Sequence, residues 1–352
     1  MEFATGLSMA EPTGGAAAAP APAPASSTEH SSVLGYSEDV AAIFEARRKH
    51  AATRLDELKA LLESWESPAR SCPDEMLCRF LETNIIMKNN NRVVTGCNIK
   101  GAAKSLEATV KWRSAQGLDV NPHPLTLGGC TCCDVDPYGH CCFSIGVDRR
   151  GWMCTYMCPG RTTNRDPRLI ERHMVLLLEQ MFTESAQGPE CRGGRALPTG
   201  QTGPPSHFVI LLDLHGFSLS DMDPRVAMRV IPILLNHYPD RSAQVAILDS
   251  PWVFKAAWQL IKTVIDPLSQ TKAIFLRGEE MHEYFNTFLT ADQRAFATGM
   301  LALRAAPSRT AFVDAALCDR LRPSLGPQDA FAKETQELLC QPATSHGEPP
   351  KA

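Results

Sequence analysis

The chain has 352 residues and a formal net charge of −4, so it exceeds one small domain and lacks the clustered basic balance that a nucleic-acid partner requires. No apolar run of about 20 residues occurs, which argues against a membrane-spanning helix, and attraction to an anionic membrane would have to come from a local patch. Thirteen cysteines without a charged signal-peptide start predict free thiols in a cytoplasmic protein, peripherally associated with membranes, instead of a disulfide framework.

Residues 1–36, rich in Ala, Pro and Ser, are expected to form a disordered tail. Glu2 and Glu11 precede the first base, Arg47, unlike an Arg-rich presequence. Residues 37–125 read as a helical lobe. Ser37-Glu38-Asp39 is a cap signal, and Ile43, Leu55, Leu58 and Leu62 recur at helical spacing to about Ser64. Pro68 and Pro73 break the pattern. Two further helices carry Met76, Leu77, Phe80 and Leu81, then Ala103, Leu106, Val110 and Trp112, separated by an extra polar stretch around Asn89-Asn90-Asn91. Residues 126–303 read as an α/β domain that opens on the cysteine-rich loop from Gly128 to Cys142. A strand and turn follow at Ser144–Gly151, then a helix at Leu169–Ser185 and a Gly- and Pro-dense insertion over 186–206. From Phe208 the order is strand, helix, strand, amphipathic helix, strand, the last being Ala273-Ile274-Phe275-Leu276 before Gly278. The apolar run from Phe208 to Leu212 suits a parallel strand covered on both faces. Residues 304–352 are expected to be a partly disordered extension.

Asp213-Leu214-His215-Gly216, Tyr238-Pro239-Asp240-Arg241, Asp249-Ser250-Pro251, and Asp266-Pro267 leading to Lys272-Ala273-Ile274 stand in one order along the chain. They resemble the D-L-x-G, Y-P-x-R, N-x-P and D-P-x-x-x-x-K-I motifs of the CRAL-TRIO lipid-binding family, in particular its phosphatidylinositol/phosphatidylcholine transfer proteins. Leu77-Cys78-Arg79-Phe80-Leu81-Glu82 and Lys111-Trp112-Arg113 stand where that family has L-L-R-F-L-R and E-W-R, so the resemblance runs from about Pro73 to about Gly278. It implies a mostly parallel sheet flanked by helices, an apolar cavity under a gate helix, and a small N-terminal helical lobe. It also implies a function: binding a phospholipid, most readily phosphatidylinositol, and transferring or presenting it at membrane surfaces.

Trp252, Val253, Phe254, Ala257, Trp258, Ile261, Val264 and Ile265 make a segment too apolar for an ordinary surface helix, with Lys255 and Lys262 as its charges. Taken alone it reads equally as a buried core helix; the resemblance points to the gate. The family's head-group residues fall on Arg79, Asp240, Ser269 and Lys272. Lys272 and the Ser269 hydroxyl suit phosphate oxygens, and Asp240 suits inositol hydroxyls or the holding of a base. The plain alternative is a structural ion pair between Arg79 and Asp240. The slots that contact choline phospholipid fall on Phe208 and Ile210, which offer no hydrogen bond, so that lipid is expected to bind poorly. The late L-P-x-x-x-G-G motif is missing, Phe296 to Gly299 being a weak echo.

Cys130, Cys133, Cys141 and Cys142 are the one set with zinc-like spacing, but a second CxxC is lacking and reduced thiols are the simpler reading. No cofactor is expected. Neither a G-x-S-x-G elbow nor an H-E-x-x-H or P-loop signature occurs, and an enzyme is not expected. Two other functions stay open from the sequence: a carrier of a neutral, terpenoid-type ligand, and a non-catalytic scaffold for protein partners.

Overall fold

The computed structural model describes residues 38–88, 91–118, 139–186, 207–218, 221, 223–263 and 265–303, with the backbone alone at 38 and 180–186. The expected tail 1–36, the insertion beyond residue 186 and the extension from 304 lie outside them. The periodic run toward Ser64 forms two helices, α1 (Glu38–Ala52) and α2 (Leu55–Ser64), with a turn at Thr53-Arg54 between them. After a single turn at Pro68–Ser71, α3 (Asp74–Thr83) starts with Asp74 and Glu75 in its first turn, where carboxylates favour the helix dipole. Between α3 and the next helix the lobe departs from an all-helical reading: β1 (Ile85–Lys88) and β2 (Val93–Cys97) pair as a two-stranded antiparallel ribbon, whose β-branched residues fit a pleated surface. Helix α4 (Ile99–Ala115) follows, capped by the Asn98 side chain accepting from the Gly101 N–H at 2.9 Å. Leu58, Leu62, Leu77, Leu81 and Leu106 are fully buried and close the core of the lobe.

The second core is built on a five-stranded sheet in the order β3-β4-β5-β6-β7. Strands β3 (Cys142–Val147) and β4 (Met153–Met157) form an antiparallel pair. Strands β5 (Phe208–Asp213), β6 (Ser242–Leu248) and β7 (Ala273–Leu276) run parallel to β4. Each new parallel strand joins the same side, so right-handed crossovers place the connecting helices on one face. These are α5 (Pro167–Ala186), α6 (Pro224–His237), α7 (Phe254–Lys262) and the single turn α8 (Pro267–Gln270). The opposite face is covered by α9 (Gly278–Phe288) and α10 (Ala291–Ala302).

Period-two alternation sorts the strand residues between the two faces. Tyr156, Val209, Leu211, Ala246 and Leu248 meet Phe285, Phe288 and Phe296 of α9 and α10. Met153, Phe208 and Ile210 meet α5 and α6, while Leu212 and Ile247 meet α7. Arg150, in the turn after β3, lies buried over the rings of Phe288 (4.1 Å) and Trp152 (4.5 Å) and donates to Asp148 and Gln244 at 2.9 Å. All of its charge is answered inside the core.

The lobe is joined to the sheet domain by polar contacts. Arg113 of α4 pairs with Glu179 of α5 through two hydrogen bonds of 2.7 and 3.0 Å, and the Tyr238 hydroxyl donates to the same carboxylate at 2.6 Å. Trp112 stacks on His237 at 4.1 Å. The Trp112-Arg113 dipeptide therefore holds the end of α6, and with it the residues that follow Tyr238. Tyr238→Phe is expected to cost about 1.5 kcal/mol in urea denaturation, since a bond to a charged acceptor is lost while Arg113 keeps Glu179 paired.

Candidate functional site

Helix α7 has Phe254, Ala257, Trp258 and Ile261 on its inner face, the i, i+3, i+4, i+7 stripe of a one-sided helix. Phe254 meets Phe217 edge-on at 6.1 Å, and Trp258 meets Phe275 at 5.6 Å. Beneath this stripe is a cavity of about 550 Å³, within the range of small-molecule sites. The sheet supplies Phe208, Leu212, Val245 and Ile247, and α6 supplies Ile231, Leu234 and Leu235. The β1–β2 ribbon adds Ile85 and Met87, and Phe254, Trp258, Ile261 and Ile265 close the roof.

One end of the cavity is polar. The Asp266 side chain accepts from the N–H groups of Leu268 and Ser269, both at 3.0 Å, and Pro267 occupies the first helical position. This capped turn places Ser269 and Lys272 on the cavity wall just ahead of β7. Beside them stands Asp240, at a φ of 54°, a left-handed conformation that Asp tolerates better than most residues. Lys272 Nζ and Asp240 Oδ1 are 2.6 Å apart, with side chains 10% and 9% exposed. Glu82 of α3 shares a hydrogen bond with the same Asp240 carboxyl. Burial first, then that bond and the nearby negative charge, push the Glu82 carboxyl up to about 8, so it is protonated at neutral pH. Burial alone would raise the Asp240 carboxyl, but the Lys272 charge and the hydrogen bonds from Glu82 and Lys272 hold it below its ordinary range.

A second hollow of about 690 Å³ lies on the far side of this pair, bordered by Phe44, Arg48, Trp152 and His207. His207 is lowered to about 3 by burial and by the charges of Arg79, Lys272 and Arg48, so it is neutral. Arg79 donates to the Asp240 carbonyl oxygen at 3.3 Å, and its charge rests on Glu75 at 2.7 Å. Arg241 reaches the same Glu75 at 3.3 Å.

Of the residues expected at the head-group site, the structure brings Asp240, Ser269 and Lys272 together on one wall, with Arg79 behind Asp240. Of the gate and cavity set, Phe208, Phe254, Trp258, Ile261 and Ile265 line the cavity. Ala257 packs beneath the roof, Val253 is buried at its start, and Ile210 lies in the core against α5 and α6. Trp252 points outward, 79% exposed. Val264 falls outside the described residues, as do Cys130 and Cys133. Cys141 is buried as a free thiol that shares a hydrogen bond with the free thiol of Cys158; Cys142 is buried in β3, where desolvation raises its thiol. Among the described residues no group of three or more metal-ligating side chains occurs.

Glu82, Glu75 and Arg241 were not expected at the site. Glu82 had a signal, because it occupies the slot that holds a base in the L-L-R-F-L-R pattern.

The site is thus an apolar cavity on a mostly parallel sheet, roofed by one amphipathic helix and polar at one end. The family model described as the CRAL/TRIO domain matches residues 138–295 of the chain. It is 22% identical over 277 residues to a CRAL-TRIO domain-containing protein of Schizosaccharomyces pombe, covering 74% of this chain and 54% of that protein. It is 24% identical over 194 residues to the phosphatidylinositol transfer protein PDR17 of Saccharomyces cerevisiae, covering 53% of this chain and 50% of that one. Among solved structures, that of Sfh5 is similar over 51% of this chain and 61% of that chain, with 18% identity and a TM-score of 0.39. The chain spans about half the length of the two curated relatives.

Proposed function

We propose that the chain binds one phospholipid, phosphatidylinositol in preference, and transfers or presents it at membrane surfaces. The observation that carries this reading is the joining of an apolar cavity to a polar end that holds a serine hydroxyl and a lysine paired with an aspartate. Acyl chains lie against Phe208, Val245 and Ile247 under α7, and the phosphate meets Lys272 and Ser269. As Lys272 turns to the phosphate, Asp240 is released to accept from head-group hydroxyls. The neighbouring Glu82, neutral at pH 7, keeps the number of negative charges low where an anionic lipid has to enter. The name of the PDR17 relative, a phosphatidylinositol transfer protein, supports the same choice of lipid. No helix among the described residues is long and apolar enough to cross a membrane, so the proposed contact with a bilayer is made from its surface.

The test is to purify the full chain from cells, extract it with organic solvent and identify the lipids by mass spectrometry. Phosphatidylinositol near one equivalent is the expected result; a neutral lipid would move the reading to a terpenoid-type carrier, and no lipid would favour a scaffold. Ala273 lines the cavity, and Ala273→Trp, which fills that space, is expected to remove most of the bound lipid. An unchanged lipid load in this variant would place the lipid elsewhere.

A further inference from the structure

The β1–β2 ribbon has two functional sides. Ile85 and Met87 face the cavity, whereas Ile86 and Val93 on the other side are 50% and 45% exposed. Lys88 pairs with Val93 across the ribbon, and Lys88 and Arg92 are both exposed. From Asn84 to Leu106 the sequence holds Lys88, Arg92, Lys100 and Lys104 and no Asp or Glu, in a chain whose net charge is −4. Lys100 and Lys104 are also exposed, on the first turns of α4 directly after the ribbon. Two exposed bases, Lys88 and Arg92, thus stand beside two outward-facing β-branched residues at the wall of the cavity, and two more follow at the start of α4. Leu235 of α6 both lines that cavity and is 39% exposed, which marks the opening beside the ribbon, and Leu260 of α7 is 63% exposed.

We propose that the β1–β2 ribbon is a docking arm for an anionic bilayer. Ile86 and Val93 enter the interfacial layer while Lys88 and Arg92 sit among the head-group phosphates. The choice of a bilayer over a protein partner follows from charge complementarity and from the adjoining cavity mouth, since four bases flanking a few apolar residues match an anionic lipid surface. The arm turns the opening toward the membrane from the side opposite α7, so lipid passes between two inserted edges. This deepens the lipid-carrier reading and rests on it.

The experiment mixes full-length protein with phosphatidylcholine vesicles containing or lacking phosphatidylserine, measures co-sedimentation, and quantifies lipid extracted from the same protein. The Lys88→Ala, Arg92→Ala variant is expected to bind the phosphatidylserine vesicles roughly thirtyfold more weakly, from about 1 kcal/mol for each base near an anionic surface. Ile86→Trp is expected to bind both kinds of vesicle more tightly while staying in the supernatant without vesicles and unfolding in urea like the wild type, which separates the gain from misfolding. If these variants partition like the wild type while keeping their lipid, or if Trp252→Ala alone abolishes binding and they have no effect, the docking arm is wrong and the carrier reading stands. If the wild type carries no lipid yet vesicle binding still follows Lys88 and Arg92, the arm stands and the cavity reading fails.

Discussion

Asp240→Ala will destabilise the protein by about 3–5 kcal/mol, the usual consequence of removing one member of a buried ion pair. Lys272 Nζ is 2.6 Å from the carboxylate and its side chain is 10% exposed, so the ammonium is left in low dielectric with its main partner gone. Lys272→Met will cost less, because the remaining carboxyl still has Glu82 as a hydrogen-bond partner and can take up a proton. The Asp240→Asn, Lys272→Met double variant removes both charges and should recover most of the stability lost in Asp240→Ala. Lipid loading separates the two roles of the pair. The expected result is that the double variant is stable in urea denaturation but does not retain phosphatidylinositol, because no ammonium faces the phosphate. A double variant that loads lipid like the wild type would show that the pair only braces the cavity wall.

The parallel strands are legible in the sequence because their apolar runs, such as Phe208 to Leu212, are separated by helical periods of fitting length. Strand β4 is harder to see: Met153-Cys154-Thr155-Tyr156-Met157 has one β-branched residue and nearly continuous burial, so it shows no alternation. The β1–β2 ribbon is obscured because its strands are only four and five residues long, and the asparagine run between Ile85-Ile86 and Val93-Val94 reads in sequence as a plain polar loop. At the site, Asp240, Ser269 and Lys272 are legible from spaced motifs whose local geometry is a cap and a turn. What motif spacing does not encode is the side of the pair on which α3 packs. Glu82 reaches Asp240, and Arg79 the carbonyl behind it, only through tertiary docking of the lobe, which Trp112 and Arg113 secure from α4. The gate helix is legible as an apolar segment, but its two faces differ in fate: Trp258 is under the roof and Trp252 is outside.

Glu82 should impose a stability loss on the wild type between pH 6.5 and 8 that Glu82→Gln removes. The folded carboxyl titrates at about 8 against an ordinary 4.5. Between those values the native state holds a proton that the unfolded state has released, so stability falls as pH rises. One proton over this window corresponds to roughly 1.5–2 kcal/mol. The other site groups act elsewhere. Asp240, held below its ordinary range, loses its contribution as pH falls beneath that range. His207, lowered to about 3, and His237, lowered to about 4, make stability rise with pH only up to the ordinary histidine value near 6.5. Beginning at pH 6.5 therefore leaves Glu82 as the main titrating group of the site. Gln at position 82 can still donate to Asp240 from its amide and carries no proton to lose. Urea denaturation at pH 6.5 and 8 should show a falling midpoint for the wild type and one that does not fall for Glu82→Gln, whose histidines finish titrating in the unfolded state over the same window. Parallel slopes for the two proteins would mean that Glu82 is ionised in the fold and that the Asp240–Lys272 pair carries an extra negative charge at neutral pH. That outcome would also remove the electrostatic reason for expecting an anionic phospholipid at this end of the cavity.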